Sequence, residues 1–185
     1  KDKITEITKI LNLITVPSNI SITKEISIDL TSNNLINYPE YGSEYANLKI
    51  PSLNIDLPVF FGDTLDIIKK GIGHSSGSYF PGEGGSILYM GHNTKDMLKD
   101  LKEIKNESEI IITTSYGTFT YTVYNTKVIN YQNLEEVPIN RDNETLMLYT
   151  CFNSTPIGHT PKRFIVYAKL TDSKIKGNEI NDKNN

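Results

Sequence analysis

The chain has 185 residues, 37% of them hydrophobic, with a formal net charge of −3 and a pI near 5.6, so it can bury one core and carries no basic excess of the kind that nucleic-acid binding requires. Its one cysteine rules out a disulfide framework within the chain, and its three histidines, at positions 74, 92 and 159, match no common zinc spacing. No metal or other cofactor is expected. No apolar run reaches the length of a membrane helix and no secretory signal is visible.

Ile4, Ile7, Ile10, Leu11 and Ile14 recur at helical spacing and predict an amphipathic helix over residues 3–13 that packs on the body. From Pro17 to Tyr45 the composition turns to Ser, Asn and Thr and reads as a linker, closing an N-terminal segment of residues 1–45. The body, residues 46–171, reads mainly as strand. Leu48 to Ile55 and Pro58 to Phe61 are short strands, followed by a brief helix from Thr64 to Lys70 that Gly71 ends. Ser86 to Met90 is an apolar strand and Lys95 to Leu101 a short helix. Glu109 to Thr114 and Thr118 to Ile129 carry the β-branched and Tyr residues of a hairpin that turns at Ser115-Tyr116-Gly117. Asn133 to Val137 is one helical turn, and Thr145 to Thr150 and Arg163 to Leu170 are the last strands. Residues 172–185 form a polar tail that reads as disordered. About eight strands with few short helices predict a mainly β protein, a closed or nearly closed β-barrel, because closure removes sheet edges.

The chemistry centres on Cys151. A lone cysteine in a strand is most often a small buried hydrophobe. Here the strand stops at the thiol and a loop, Phe152 to Pro161, follows it, so the sulfur can reach a cleft. His92 stands at the end of the run Ser86 to Gly91 and can supply the acid or base that a thiol nucleophile needs, while Arg163 opens the last strand and offers a rigid fork of permanent donors for an oxyanion. Taken singly, that His is ordinarily a turn residue and that Arg a solvated rim charge. His159 lies nearer Cys151 in sequence, but catalytic clusters meet in space, and the strand-end placement favours His92 over His159 and His74.

The segment Leu146-Met147-Leu148-Tyr149-Thr150-Cys151, then a loop and Arg163-Phe164-Ile165-Val166-Tyr167, resembles the TLxTC strand and downstream Arg strand of the sortases, the cysteine transpeptidases of Gram-positive surfaces. Gly71-Ile72-Gly73-His74, Pro81-Gly82-Glu83-Gly84-Gly85 and Ile87-Leu88-Tyr89-Met90-Gly91-His92-Asn93 resemble the family's approach to its histidine, and the resemblance runs from about Asn47 to Leu170. The pattern departs from the family's where the Thr-Leu pair lies two residues farther from the cysteine and where Asn93 follows the histidine in place of Arg. The Gly-rich approach to His92 and Thr160-Pro161-Lys162-Arg163-Phe164 look most like class D, with classes C and E next.

The resemblance implies His92, Cys151 and Arg163 as the catalytic set and a sortase-type barrel at residues 46–171. It implies cleavage of an LPxTG-like C-terminal sorting signal between Thr and Gly, a thioester on Cys151, and transfer of the acyl group to an amine of cell-wall peptide or its lipid-linked precursor. Thr150, Phe152, Pro156 and Ile157 are then expected to line the substrate groove. The expected location is the extracellular face of a Gram-positive membrane, the chain from Lys1 being a soluble portion that an N-terminal anchor precedes. Two alternatives compete with this reading: a pilin-polymerising class C type, which usually carries an Asp-Pro-aromatic lid, and a noncatalytic β-barrel adhesion module. No Asp-Pro pair occurs in the chain. An L,D-transpeptidase would place His and Gly directly before its nucleophile, where this chain has Tyr149-Thr150.

Overall fold

Period-two alternation decides which way each strand faces. A computed structural model describes residues 36–152 and 160–176. In it, strands β1 (Glu44–Ile50), β2 (Ile55–Phe61), β3 (Ile72–His74), β4 (Ile87–Gly91), β5 (Glu109–Thr114), β6 (Gly117–Asn130), β7 (Thr145–Cys151) and β8 (Lys162–Ile175) close into one barrel in the order β1-β2-β3-β4-β7-β8-β6-β5. This is the mainly β, eight-stranded barrel that the composition and strand pattern predict. Helical structure is slight: α1 (Leu65–Ile68) and 3-10 turns at Pro51–Leu53, Lys99–Glu103 and Leu134–Glu136.

Most neighbours pair antiparallel, but β2 pairs with β3 and β4 with β7 in parallel. A parallel pair needs a crossover rather than a hairpin. The segment containing α1 supplies it for β2 and β3, and the β5–β6 hairpin lies within the crossover from β4 to β7. Alternate residues, among them Leu48, Ile50, Val59, Tyr89, Ile112, Phe119, Leu146, Leu148 and Val166, fill the interior. The opposite faces of β7 and β8 carry a second cluster of Ile129, Met147, Ile165 and Tyr167, with Leu88, Val137 and Tyr149 packed against it. Residues 131–144, which join β6 to β7, cover part of this outer cluster. Tyr167 donates its hydroxyl to the Glu136 carbonyl at 2.7 Å, and the Ser86 amide donates to the Asn140 carbonyl at 2.9 Å. Val123 faces inward and Ile129 outward although they are six positions apart, an even spacing that keeps a regular strand on one side; a register shift between Val123 and Asn125 accounts for the change.

Several boundaries differ from the sequence reading. The expected strand Leu48 to Ile55 breaks at Pro51, because the 3-10 turn ends on Asn54 in the left-handed region at φ 53° and Ile55 begins the returning strand. The helix expected over Thr64 to Lys70 contracts to α1, and the one expected over Lys95 to Leu101 becomes the 3-10 turn Lys99–Glu103. The expected tail from residue 172 starts as strand: Asp172, Lys174 and Ile175 pair with Thr120, Thr118 and Gly117. The helix over residues 3–13, most of the linker and residues 177–185 lie outside the described residues. Among the described residues, no helix is long and apolar enough to cross a membrane.

One end of the barrel is locked by buried polar groups. The carboxylate of Glu144 accepts the amides of Gly82 and Gly84, each at 2.9 Å, and the Tyr121 hydroxyl at 2.6 Å. Both glycines sit at positive φ (90° and 79°), so the Pro81–Gly85 run is a turn folded around an acceptor. Beside it His74 is fully buried among Tyr45, Phe61, Phe80 and Tyr89, with ring centroids 4.5 to 5.6 Å away. Its Nδ1 lies 2.8 Å from the Tyr45 hydroxyl, which meets the Tyr89 hydroxyl at 2.7 Å, and its Nε2 has no partner among the described residues. The segment leading into β1 closes over this end, where Ile36 joins the core and Tyr38 packs edge-on against Phe80.

Burial lowers the His74 pKa from 6.5 to about 4, with the carbonyls of Tyr79 and Ser78 partly opposing it. Between those values the unfolded chain holds the extra proton, so the contribution of His74 to stability is complete above pH 6.5 and declines as pH falls toward 4, by about 3 kcal/mol in total. Burial pushes the Glu144 carboxyl up, which acts in the opposite sense, but a comparison of wild type with His74→Phe cancels it. The stability difference between the two proteins, from urea unfolding at pH 7 and pH 4, should shift by about that amount in favour of the variant at the lower pH. Parallel pH profiles would show that His74 is not the acid-sensitive group.

Candidate active site

Three strand ends meet where the barrel opens away from His74. β4 and β7 run parallel in the register Tyr89 to Leu148, Met90 to Tyr149 and Gly91 to Thr150, so the next residues along are His92 and Cys151. Adjacent strands lie about 4.8 Å apart, and these two residues, 59 apart in sequence, become neighbours. β7 and β8 run antiparallel with Cys151 directly opposite Arg163. Cross-strand partners project to the same face, so Arg163 and Cys151 share the outer face with Tyr149. His92, Cys151 and Arg163, expected from sequence to form one set, are therefore brought to one mouth of the barrel, whereas His74 is sealed in the core. His159, Pro156 and Ile157 lie outside the described residues.

Each side chain is seated by its neighbours. Gly91 faces inward, where a methyl group would come within 2.9 Å of the side chains of Ile72 and Leu98. The Leu98 amide donates to the His92 carbonyl at 3.0 Å and fixes the turn after β4. Thr150 donates its hydroxyl to the Gly91 carbonyl at 2.9 Å, binding the end of β7 to the end of β4 one residue before the pair that matters. Cys151 is half-buried and free. Arg163 donates through Nη1 to the carbonyls of Thr160, at 2.6 Å, and Lys162, at 2.9 Å. Its guanidinium carbon lies 5.6 Å from the Tyr131 ring centroid and 5.9 Å from that of Tyr149. Burial pushes the Tyr149 phenol above its ordinary value; the charge of Arg163 and a hydrogen bond from it oppose this, and the nearby Cys151 adds to it. Among the described residues, no group of His, Cys, Asp or Glu is arranged to hold a metal ion.

The expected groove residues are redistributed. Thr150 is buried and faces the interior, with only 4% of its surface exposed, so its hydroxyl serves the strand pair and does not line a groove. Phe152 stacks on the inward-facing Phe164 at 6.2 Å and packs against the main core. The surface beside Cys151 is made instead by the half-buried outward residues Leu88, Met90 and Tyr149, bordered by Val137. Sequence reasoning passed over Tyr149 and Tyr131. The first was detectable, since a residue two before a cysteine on a strand shares its face; the second meets Arg163 only through tertiary folding. A cleft of about 350 Å3 opens farther down the same face under residues 131–144, walled by Tyr124, Lys127, Glu136, Asn140, Met147 and Tyr167; neither Cys151 nor His92 reaches it.

Comparison with known proteins places the chain in a family and matches its barrel to solved structures. A family model described as the sortase domain matches residues 48–171. Sortase D of Bacillus subtilis (strain 168) is 33% identical over 153 residues, covering 83% of this chain and 76% of that protein. Among solved structures, sortase E from Streptomyces avermitilis superposes with a TM-score of 0.65 at 25% identity, covering 75% of this chain and 93% of that one. Listeria monocytogenes sortase A superposes with a TM-score of 0.64 at 23% identity, covering 71% and 90%.

Thr150→Val keeps shape and removes the hydrogen bond to Gly91. Loss of one such bond should cost about 1 kcal/mol in urea unfolding. Because the side chain points inward, the KM for a peptide substrate should stay within about twofold, well under the tenfold that about 1.4 kcal/mol of lost binding would produce. A large rise in KM with unchanged stability would place Thr150 in the groove after all.

Proposed function

The chain belongs to the sortase family, and we propose that it cleaves an LPxTG-like sorting signal between Thr and Gly and passes the acyl half to an amine of cell-wall peptide or its lipid-linked precursor. The observation that carries this reading is the double register at Cys151, with His92 next to it across the parallel pair and Arg163 opposite it across the antiparallel pair.

A thiol becomes a competent nucleophile as its thiolate, and His92 as imidazolium is the partner that would hold it in that form. The Cys151 sulfur attacks the Thr carbonyl and the carbonyl oxygen becomes an oxyanion, to which Arg163 donates. As the C–N bond breaks, His92 gives its proton to the departing amine and a thioester remains on Cys151. An incoming amine then attacks the thioester, its proton passes to His92, an amide forms and the thiolate leaves. The apolar outer surface of Leu88, Met90 and Tyr149 suits the Leu and Pro of such a signal. A substrate anchored at the cell surface requires the enzyme there too, so we place it on the extracellular face of a Gram-positive membrane, held by an N-terminal anchor. The class D resemblance in the sequence and the similarity to a sortase D point to the same class.

The test is mass spectrometry after incubation with LPxTG-type peptides, which should reveal an acyl adduct on Cys151. Cys151→Ala should abolish both adduct and cleavage while unfolding normally; turnover by that variant would sink the mechanism. His92→Ala should lower turnover by about a hundredfold or more, with His159→Ala having a modest effect, and the reverse order would move the proton donor to the β7–β8 loop.

Arg163 is tested by geometry as well as charge. Both Arg163→Ala and Arg163→Lys should lose about a hundredfold or more in kcat, since Lys keeps the charge and loses the planar fork. Near-parental turnover by the Lys variant would show that charge alone suffices.

A further inference from the structure

Arg163 is held in an unusual way for a buried-edge cation. Among the described residues the ion pairs are formed by Lys49, Lys69, Lys102 and Lys127, and none involves Arg163. Its guanidinium is gripped instead by two tyrosine rings, with Tyr131 at 5.6 Å and Tyr149 at 5.9 Å, both within the range of attraction between a cation and an aromatic face. The rings come from different parts of the chain. Tyr149 lies on β7 two residues before Cys151 and packs on Ile165 and Met147. Tyr131 follows the last residue of β6, and its amide donates to the Pro161 carbonyl at 2.8 Å, which fixes it beside the start of β8.

We propose that Tyr149 and Tyr131 are positioning residues, an aromatic clamp that aims the Arg163 guanidinium at the oxygen developing on the substrate. This rests on the reading of Arg163 as the oxyanion donor. A guanidinium carries five N–H donors in one plane. The two on Nη1 serve the Thr160 and Lys162 carbonyls and the Tyr149 hydroxyl is close enough to take one more, which leaves two donors for an incoming oxygen. A carboxylate partner would fix the group equally well, but it would occupy the in-plane donors and neutralise the charge wanted for an anion. The two rings act on the group through their π faces, and the Tyr149 hydroxyl, which is close enough to accept one of its hydrogen bonds, carries no charge. The clamp thus restrains the group while leaving it its positive charge and free donors, and preorganised donors of this kind stabilise a transition state most.

The experiment measures kcat and KM for a sorting peptide with Tyr149→Leu, Tyr149→Phe, Tyr131→Leu and Arg163→Ala, and with Tyr149→Leu combined with Arg163→Ala. Tyr149→Leu should lower kcat by about tenfold with little change in KM, and Tyr149→Phe, which keeps the ring, should stay within about threefold of wild type. Tyr131→Leu should fall in the same direction. In the Arg163→Ala background Tyr149→Leu should add no more than about twofold, because the clamp then has nothing to hold. The NMR signal of the Arg163 Nε–H gives a readout apart from activity: it should be shifted by ring current in wild type and in Tyr149→Phe and move toward the free-arginine position in both Leu variants. If Arg163→Ala itself keeps near-parental turnover, the oxyanion reading fails. If Arg163→Ala is crippled while the Leu variants keep wild-type kcat and an unmoved Nε–H signal, the clamp is overturned and the oxyanion reading stands. Equal losses from Tyr149→Leu in both backgrounds would also overturn it. Should Arg163→Ala fall below detection, the Nε–H signal decides, and Tyr131→Leu, at a half-exposed ring, supplies a variant that need not disturb the core.

Discussion

The parallel ladder between β4 and β7 sets the position of everything at the barrel mouth. Each of its five pairs, from Ile87 with Leu146 to Gly91 with Thr150, lies between residues 59 apart in the chain. A slip of one residue would turn Leu146 and Leu148 out of the core and carry Cys151 to the wrong face. The register is therefore fixed by burial along the ladder, and at its far end by the Thr150 hydroxyl on the Gly91 carbonyl. Adjacency of the two residues that follow the ladder, His92 and Cys151, is a by-product of packing Ile87 and Tyr89 against Leu146 and Leu148.

The opposite end of the barrel bears on the same ladder. β4 begins at Ile87, just after the Pro81–Gly85 turn, and β7 begins at Thr145, just after Glu144. The Glu144 carboxylate on the Gly82 and Gly84 amides therefore ties together the starts of the two strands whose ends carry His92 and Cys151. Leaving the buried Gly82 amide without an acceptor would cost more than its hydrogen bond contributes net, which makes the turn and the acid mutually dependent. His74 adds an apolar seal to this end, held neutral by the rings around it.

Long strands were legible because their alternation is strong. Ile110, Ile112, Phe119, Tyr121 and Val123 place apolar groups inward at every second position; β5 and β6 followed from their β-branched and Tyr content and β7 from its apolar run, with boundary errors of at most one residue. β3 was not legible: three residues, Ile72, Gly73 and His74, give no period to read. The extension of β8 past Leu170 was hidden because its residues are polar and pair with the polar Thr118 and Thr120. That Cys151, His92 and Arg163 stand at strand ends was readable from the sequence; that those ends adjoin was not, since it depends on the order of strands in the barrel. The direction of Thr150 was readable too, since it alternates with Cys151, yet adjacency in sequence outweighed alternation in assigning it to the groove. Tyr131 carried no signal at all, because its contact with Arg163 spans two connections that only the closed barrel brings together.

A chain with net charge −3 has acidic groups enough to neutralise a lone arginine, and among the described residues it uses its carboxylates on lysines and on backbone amides instead. The distribution follows the chemistry each cation serves. Lys49 and Lys127 sit on strand surfaces where a pair with Asp56 or Glu136 is worth little and harms nothing. An acid beside Arg163 would compete for the guanidinium with the anion that forms on substrate, and would also stand beside Cys151, raising the cost of its thiolate. Aromatic faces and carbonyl oxygens hold the side chain without adding a negative charge within reach of the sulfur. The same selection explains why the strand position two before the cysteine can carry a tyrosine: its ring continues the apolar floor that Met147 and Ile165 begin and at the same time faces the cation.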